Sequence, residues 1–135
     1  MKEHLLTTLE NSKNYTLAVA EAMPEKNYSF KPAAPVWSFL EQLHHIGYGI
    51  SWWQNNYIRG IKTDWAPTPV SKDKKQVIDY LKKNYDSLKH LITKGEVNEN
   101  TIKGFQATID HITHHRGQAI IYLRCNGINA PEYVF

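Results

Sequence analysis

The chain has one cysteine, Cys125. That excludes an internal disulfide and a cysteine zinc cluster. A chain of 135 residues needs no such staple. One domain over 1–135 can bury about two-thirds of its unfolded surface. Long apolar runs are also missing, so no segment is expected to span a bilayer. The start, Met1-Lys2-Glu3-His4, lacks the basic segment and apolar stretch of a signal peptide. These absences predict a cytoplasmic protein without a membrane partner.

An excess of one charge is small as well. Sixteen Lys and Arg against thirteen Asp and Glu leave a net charge of +3. The lysines gather mainly between 72 and 94, but Asp73, Asp79 and Asp86 are mixed among them. That pattern reads as a solvated helix face. It offers no basic block with exposed aromatics, so a nucleic-acid partner is not expected. Strand-like alternation, internal repeats and low-complexity tracts are absent. So are a Ser/His/Asp nucleophile frame, a phosphate loop and a carboxylate cluster beside the histidines.

What is present is helical periodicity. Leu5, Leu6, Leu9, Ala18 and Val19 predict a first helix over 3–22, stopped by Pro24. Pro24, Pro32 and Pro35 make 23–37 a connection. Ser38-Phe39-Leu40-Glu41 has the form of a capping box, opening a second helix to about Ile58. Its stripe is Leu43, Ile46, Ile50, Trp53 and Tyr57. Ser71 is expected to cap a third helix over 72–94, with Gly95 at its C′ position. The third stripe is Val77, Ile78, Leu81, Tyr85, Leu88 and Ile92. The fourth helix is expected from Thr101 to Asn126, buried through Phe105, Ile109, Ile112, Ala119 and Leu123, and ended by Gly127. The fold class is therefore all-α. Four helices of about 30 Å make an antiparallel bundle. The long second connection can run its length, which gives up-down-down-up order.

The chemistry gathers on the fourth helix. His111 and His115 are four apart, one turn apart on one face. Thr108, Gln118 and Tyr122 extend that face beside the apolar stripe, where bundles build cofactor sites. Two imidazoles do not complete a zinc site, which takes at least three protein ligands. His44 and His45, two turns into the second helix, are both in reach, and periodicity does not choose between them. His114 points about 100° from each neighbour and reads as structural or solvent-facing. His4 and His90 have no evident partner. Glu41 reads as a cap that could also orient a ligand. Arg116 reads as a pair for a carboxylate, or more weakly as an anion binder, and Gly117 as a point of close helix approach. Trp52, Trp53 and Tyr57 read as core or dimer contacts, and Cys125 lies too far along the helix to act as a nucleophile.

Trp37-Ser38, Glu41-Gln42-Leu43-His44-His45-Ile46 and Trp52-Trp53 together resemble the second helix of the DinB/YfiT-like superfamily. His111-x-x-x-His115-Arg116-Gly117-Gln118, Tyr122-Leu123-Arg124 and Asn126-Gly127-Ile128 are similar to its last helix, and Pro131-Glu132-Tyr133-Val134-Phe135 to its tail. The resemblance implies a four-helix bundle with a three-histidine divalent metal site, usually in a homodimer. The first ligand of the family pattern directly precedes Ile or Leu, which maps it to His45; the others map to His111 and His115. His44 is an additional histidine beside that pattern. Three neutral imidazoles suit Zn²⁺ or Ni²⁺ and leave positions open. By the same resemblance the chain is expected to be a metal-dependent transferase acting on a small-molecule substrate with a low-molecular-weight thiol. A metal-dependent hydrolase, and a non-catalytic metal-stabilised bundle for stress response or interaction, are the alternatives.

Overall fold

The computed structural model describes residues 1–133. Its four helices are α1 (Lys2–Ala22), α2 (Phe39–Trp53), α3 (Lys74–Lys94) and α4 (Glu99–Cys125). A 3₁₀ turn covers Glu25–Asn27, and a π-helical turn over Gln54–Arg59 continues α2. The described residues contain no strand.

Side-chain contacts fix the directions. Lys2 at the start of α1 donates to the Thr93 and Gly95 carbonyls at the C-terminal end of α3, so α1 and α3 are antiparallel. Gln42 early in α2 meets Gln118 late in α4, so these two are antiparallel as well. His44 stacks on Tyr80 and Gln54 meets Ser87, which makes α2 and α3 parallel. The order is up-down-down-up, with α1 touching α3 and α4, and α2 touching the same pair from the opposite corner.

Leu9, Val19, Leu43, Ile46, Ile50, Leu81, Leu88, Ile112 and Leu123 are almost fully buried. Each such side chain contributes about 1.5–3 kcal/mol relative to exposure. Tyr85 lies among them, and its hydroxyl is satisfied by Ser12 at 3.0 Å and Thr16 at 2.9 Å. The Lys13–Asp86 and Lys89–Glu10 pairs join α1 to α3 at the surface, where such pairs contribute little.

Several ends differ from expectation. The Ser38/Glu41 capping box forms as expected. Ser71 does not cap α3: Asp73 accepts from the Gln76 N–H at 2.8 Å, and Ser71 is turned inward onto His44. Gly95 ends α3, but in extended backbone at φ −91°, not in a left-handed C′ turn. Asn98 starts α4 two residues early, because its side chain and Thr101 form a reciprocal cap that the Ser/Thr-x-x-Glu/Gln pattern does not describe. Trp53, the last residue of α2, is only half-buried, and the π-turn changes the helical phase after it, so Tyr57 is 40 % exposed. Both fall outside the core stripe. Gly127 does end α4, at φ +70°. Val134 and Phe135 of the tail motif lie outside the described residues.

Candidate metal centre

The α2–α4 seam brings three histidines together. His45 on α2 and His111 and His115 on α4 each offer a ring nitrogen, and these nitrogens lie within 4.8 Å of one another. Ring centroids are 4.7 Å apart for His45–His111, 4.3 Å for His45–His115 and 4.6 Å for His111–His115. The Nε2 atoms of His45 and His111 face each other at 2.9 Å. At that distance one donates and the other accepts.

The seam is close because of a glycine. A Cβ on Gly49, one turn after His45, would overlap the His111 ring. Gly47 similarly admits Tyr80 of α3, where a Cβ would lie 2.7 Å from its ring. Gly117 has no such role: a Cβ there would meet nothing within 4 Å, and the residue is exposed. The expected close approach belongs to Gly49 and Gly104, not to Gly117. Gly104 lies against Tyr57 of the π-turn.

Gln42, one turn before His45, sets the orientation of His115. His115 Nδ1–H donates to Gln42 Oε1 at 3.1 Å. That leaves His115 Nε2 unprotonated in the neutral ring. Gln42 Nε2 donates to Gln118 Oε1 at 2.6 Å, and the Tyr122 hydroxyl donates to the Trp37 carbonyl at 2.7 Å. Gln118 Nε2 in turn donates to His114 at 3.2 Å. Glu41 takes no part; its carboxylate returns to the Ser38 N–H as a cap. Position could have identified Gln42, since it shares the His45 face of α2. His111 Nδ1 is buried without a partner.

Electrostatics keep the cluster neutral. Burial, then the neighbouring His45 and His114, push His111 down to about 4. Burial, then His45, His111 and His114, push His115 down to about 3. His45 is lowered by burial and by His44 and His114. Near neutral pH the three rings are therefore neutral, each with one N–H and one lone pair. Such donors can hold a divalent ion of borderline softness. Nitrogens around one tetrahedral zinc, each at about 2.0–2.1 Å, stand about 3.3–3.4 Å apart. The present spacings, from 2.9 Å to within 4.8 Å, bracket that value, and side-chain movements of about an ångström would bring the three rings onto one ion.

Two tryptophans cover the rings. Trp37, from the connection before α2, lies 4.6 Å from the His45 ring and 5.9 Å from that of His115. Trp65, from the connection before α3, lies 5.4 Å from His45 and 6.3 Å from His111, braced by Tyr48 and Trp52. Both are partly exposed. Trp52 thus supports the site's aromatic wall. Trp65 carries no signal in the sequence, because an irregular connection has no periodicity. Beside Trp37 a groove of about 490 Å³ is lined by Pro32, Pro35, Val36, Ile121, Gln42 and Gln118.

The remaining candidates point elsewhere. His44 is turned to the α3 side. The Ser71 N–H donates to its Nδ1 at 3.1 Å, its Nε2 meets Thr68 Oγ1 at 3.2 Å, and its ring stacks on Tyr80. His114, His4 and His90 are exposed. Arg116 is buried against α1 and pairs with no carboxylate of the described residues. Cys125 is exposed near the end of α4.

The sequence profile of the DinB superfamily matches residues 8–119. The chain belongs to the DinB superfamily. Its fold is similar to that of a DinB-like protein from Bacillus cereus known from a crystal structure, with a TM-score of 0.80, 20 % identity, and coverage of 98 % of this chain and 97 % of that one. At that identity the likeness speaks for the fold. None of the curated proteins matches the chain. Among the described residues no helix of this DinB-like chain is long and apolar enough to cross a membrane.

Proposed function

We propose that His45, His111 and His115 hold one divalent ion, Zn²⁺ or Ni²⁺, and that the chain is a metal-dependent S-transferase using a low-molecular-weight thiol. The observation that carries the metal assignment is the neutral cluster itself: three ring nitrogens within 4.8 Å, with no carboxylate in the set and both α4 imidazoles strongly resistant to protonation. Bound there, the ion would supply the Lewis acidity that favours the thiolate form of such a thiol, the nucleophile that a transfer to an electrophilic small molecule needs.

The chain's own residues provide the setting. Gln42 holds a proton on His115 Nδ1 and so presents Nε2 to the ion. Trp37 and Trp65 cover the rings and restrict water. The groove beside Trp37 offers the substrate apolar walls, with Gln42 and Gln118 as its polar groups. The thiol part rests on the family resemblance and on the suitability of three imidazoles with open positions. A homodimer belongs to the same reading, and light scattering of the purified protein should give twice the 15.6 kDa chain mass.

The test is spectroscopic. In the Co²⁺-substituted protein, adding a low-molecular-weight thiol should produce sulfur-to-cobalt charge-transfer absorption. A cobalt spectrum that stays unchanged through millimolar thiol removes the transferase and leaves the metal site standing.

A further inference from the structure

On the other flank of α4 is a charge with no counter-ion among the described residues. The Arg116 side chain points about 100° away from His115, toward α1, and is 4 % exposed. A buried guanidinium normally meets a carboxylate or another anion. Here Nη1 donates to the Ser12 carbonyl at 3.4 Å and to Thr16 Oγ1 at 3.2 Å. The faces of Tyr15 and Tyr133 lie 4.8 Å and 5.9 Å from Cζ. Nε and Nη2 make no hydrogen bond to the described residues, and no ion pair with a described carboxylate forms. The side chain instead lines a cavity of about 200 Å³ between α1 and α4.

The rest of the cavity wall is chosen in kind. Thr8 and Thr113 supply hydroxyls and Asn11 an amide, while Ile109 and Tyr133 supply apolar surface. None of the described lining residues is acidic. A guanidinium edge matches a carboxylate bidentately. The cavity is smaller than a drug-sized pocket, which suits a ligand of a few heavy atoms with one apolar end.

We propose that this cavity binds a small monocarboxylate, paired with Arg116 and held by Asn11. The site is separate from the histidine cluster and independent of whether that cluster holds metal. It faces α1, while the cluster faces α2.

The test is NMR of the Arg116 Nε–H in the whole protein, titrated with sodium acetate and, in parallel, with phosphate or chloride at constant ionic strength. Acetate should shift the resonance saturably and chloride should not. Asn11→Leu keeps the volume and the arginine but removes a hydrogen bond to a charged ligand, so it should weaken acetate about tenfold. A shift that is linear in acetate, absent, or unchanged by Asn11→Leu would overturn the site. Saturation by phosphate alone would overturn the carboxylate assignment.

Discussion

α2 carries two adjacent histidines on two different seams, and they have opposite fates. His44, on the α3 side, is the more buried at 4 % exposure, and both ring nitrogens have partners in Ser71 and Thr68. His45, on the α4 side, is half-buried, and its Nε2 meets only another imidazole, that of His111. Burial lowers the proton affinity of both. What separates them is the lone pair. The protein saturates His44 and leaves His45 with donors of its own kind. A ligand candidate is recognised here by what its nitrogens lack, not by depth.

Substitutions should break this contrast unequally. The largest expected effect is His45→Ala, which should strip the metal, while His44→Ala should keep it. Loss of the buried His44 contacts should instead lower stability by about 1–3 kcal/mol, read from the urea midpoint. Metal loss in His44→Ala with retention in His45→Ala would reverse the assignment. Next is Gly49→Ala, whose methyl has no room beside the His111 ring. Overpacking of that kind costs about 1–3 kcal/mol, and here it should displace a ligand, so stability and metal content should fall together. Gln42→Leu removes the group that orients His115, and metal affinity measured by competition with a chelator should drop about 10–100-fold.

Acid should separate folded from unfolded protein through the same seam. His111 and His115 titrate lower in the folded chain than their ordinary 6.5, so the unfolded chain takes up protons first as pH falls. Their contribution is complete above about pH 6.5 and is lost as pH drops toward about 4 and then 3. His44 and His45 shift the same way. Urea midpoints of metal-free protein between pH 7 and 4.5 should therefore fall more steeply for the native chain than for His111→Gln/His115→Gln. Equal slopes would show that the cluster does not carry the acid sensitivity. The smallest expected effect is Gly117→Ala. It lies mid-helix with open space around it, so it should stabilise by about 1 kcal/mol and leave metal content alone.

Much of the fold was legible because helices advertise themselves. The third-helix stripe from Val77 to Ile92 is buried throughout, and the Ser38/Glu41 cap forms where its pattern stands. His111 and His115 share a face because four residues make about one turn. The choice between His44 and His45 was not legible from periodicity, since it depends on Ser71, Thr68 and Tyr80, at least 24 residues away. Trp65 and the inward turn of Ser71 lie in an irregular connection, where no period exists to read. Gly49 looks like any helix glycine until α4 is laid against it, and Gly117 looked like a contact but faces solvent. The surroundings of Arg116 were not legible either, because they come from α1, about a hundred residues earlier in the chain.

Metal binding at the three-histidine seam can be read from the metal content of the purified protein beside that of His111→Ala/His115→Ala. The first should carry about one divalent ion per chain and the second none. Full occupancy in the double variant would contradict binding at this seam.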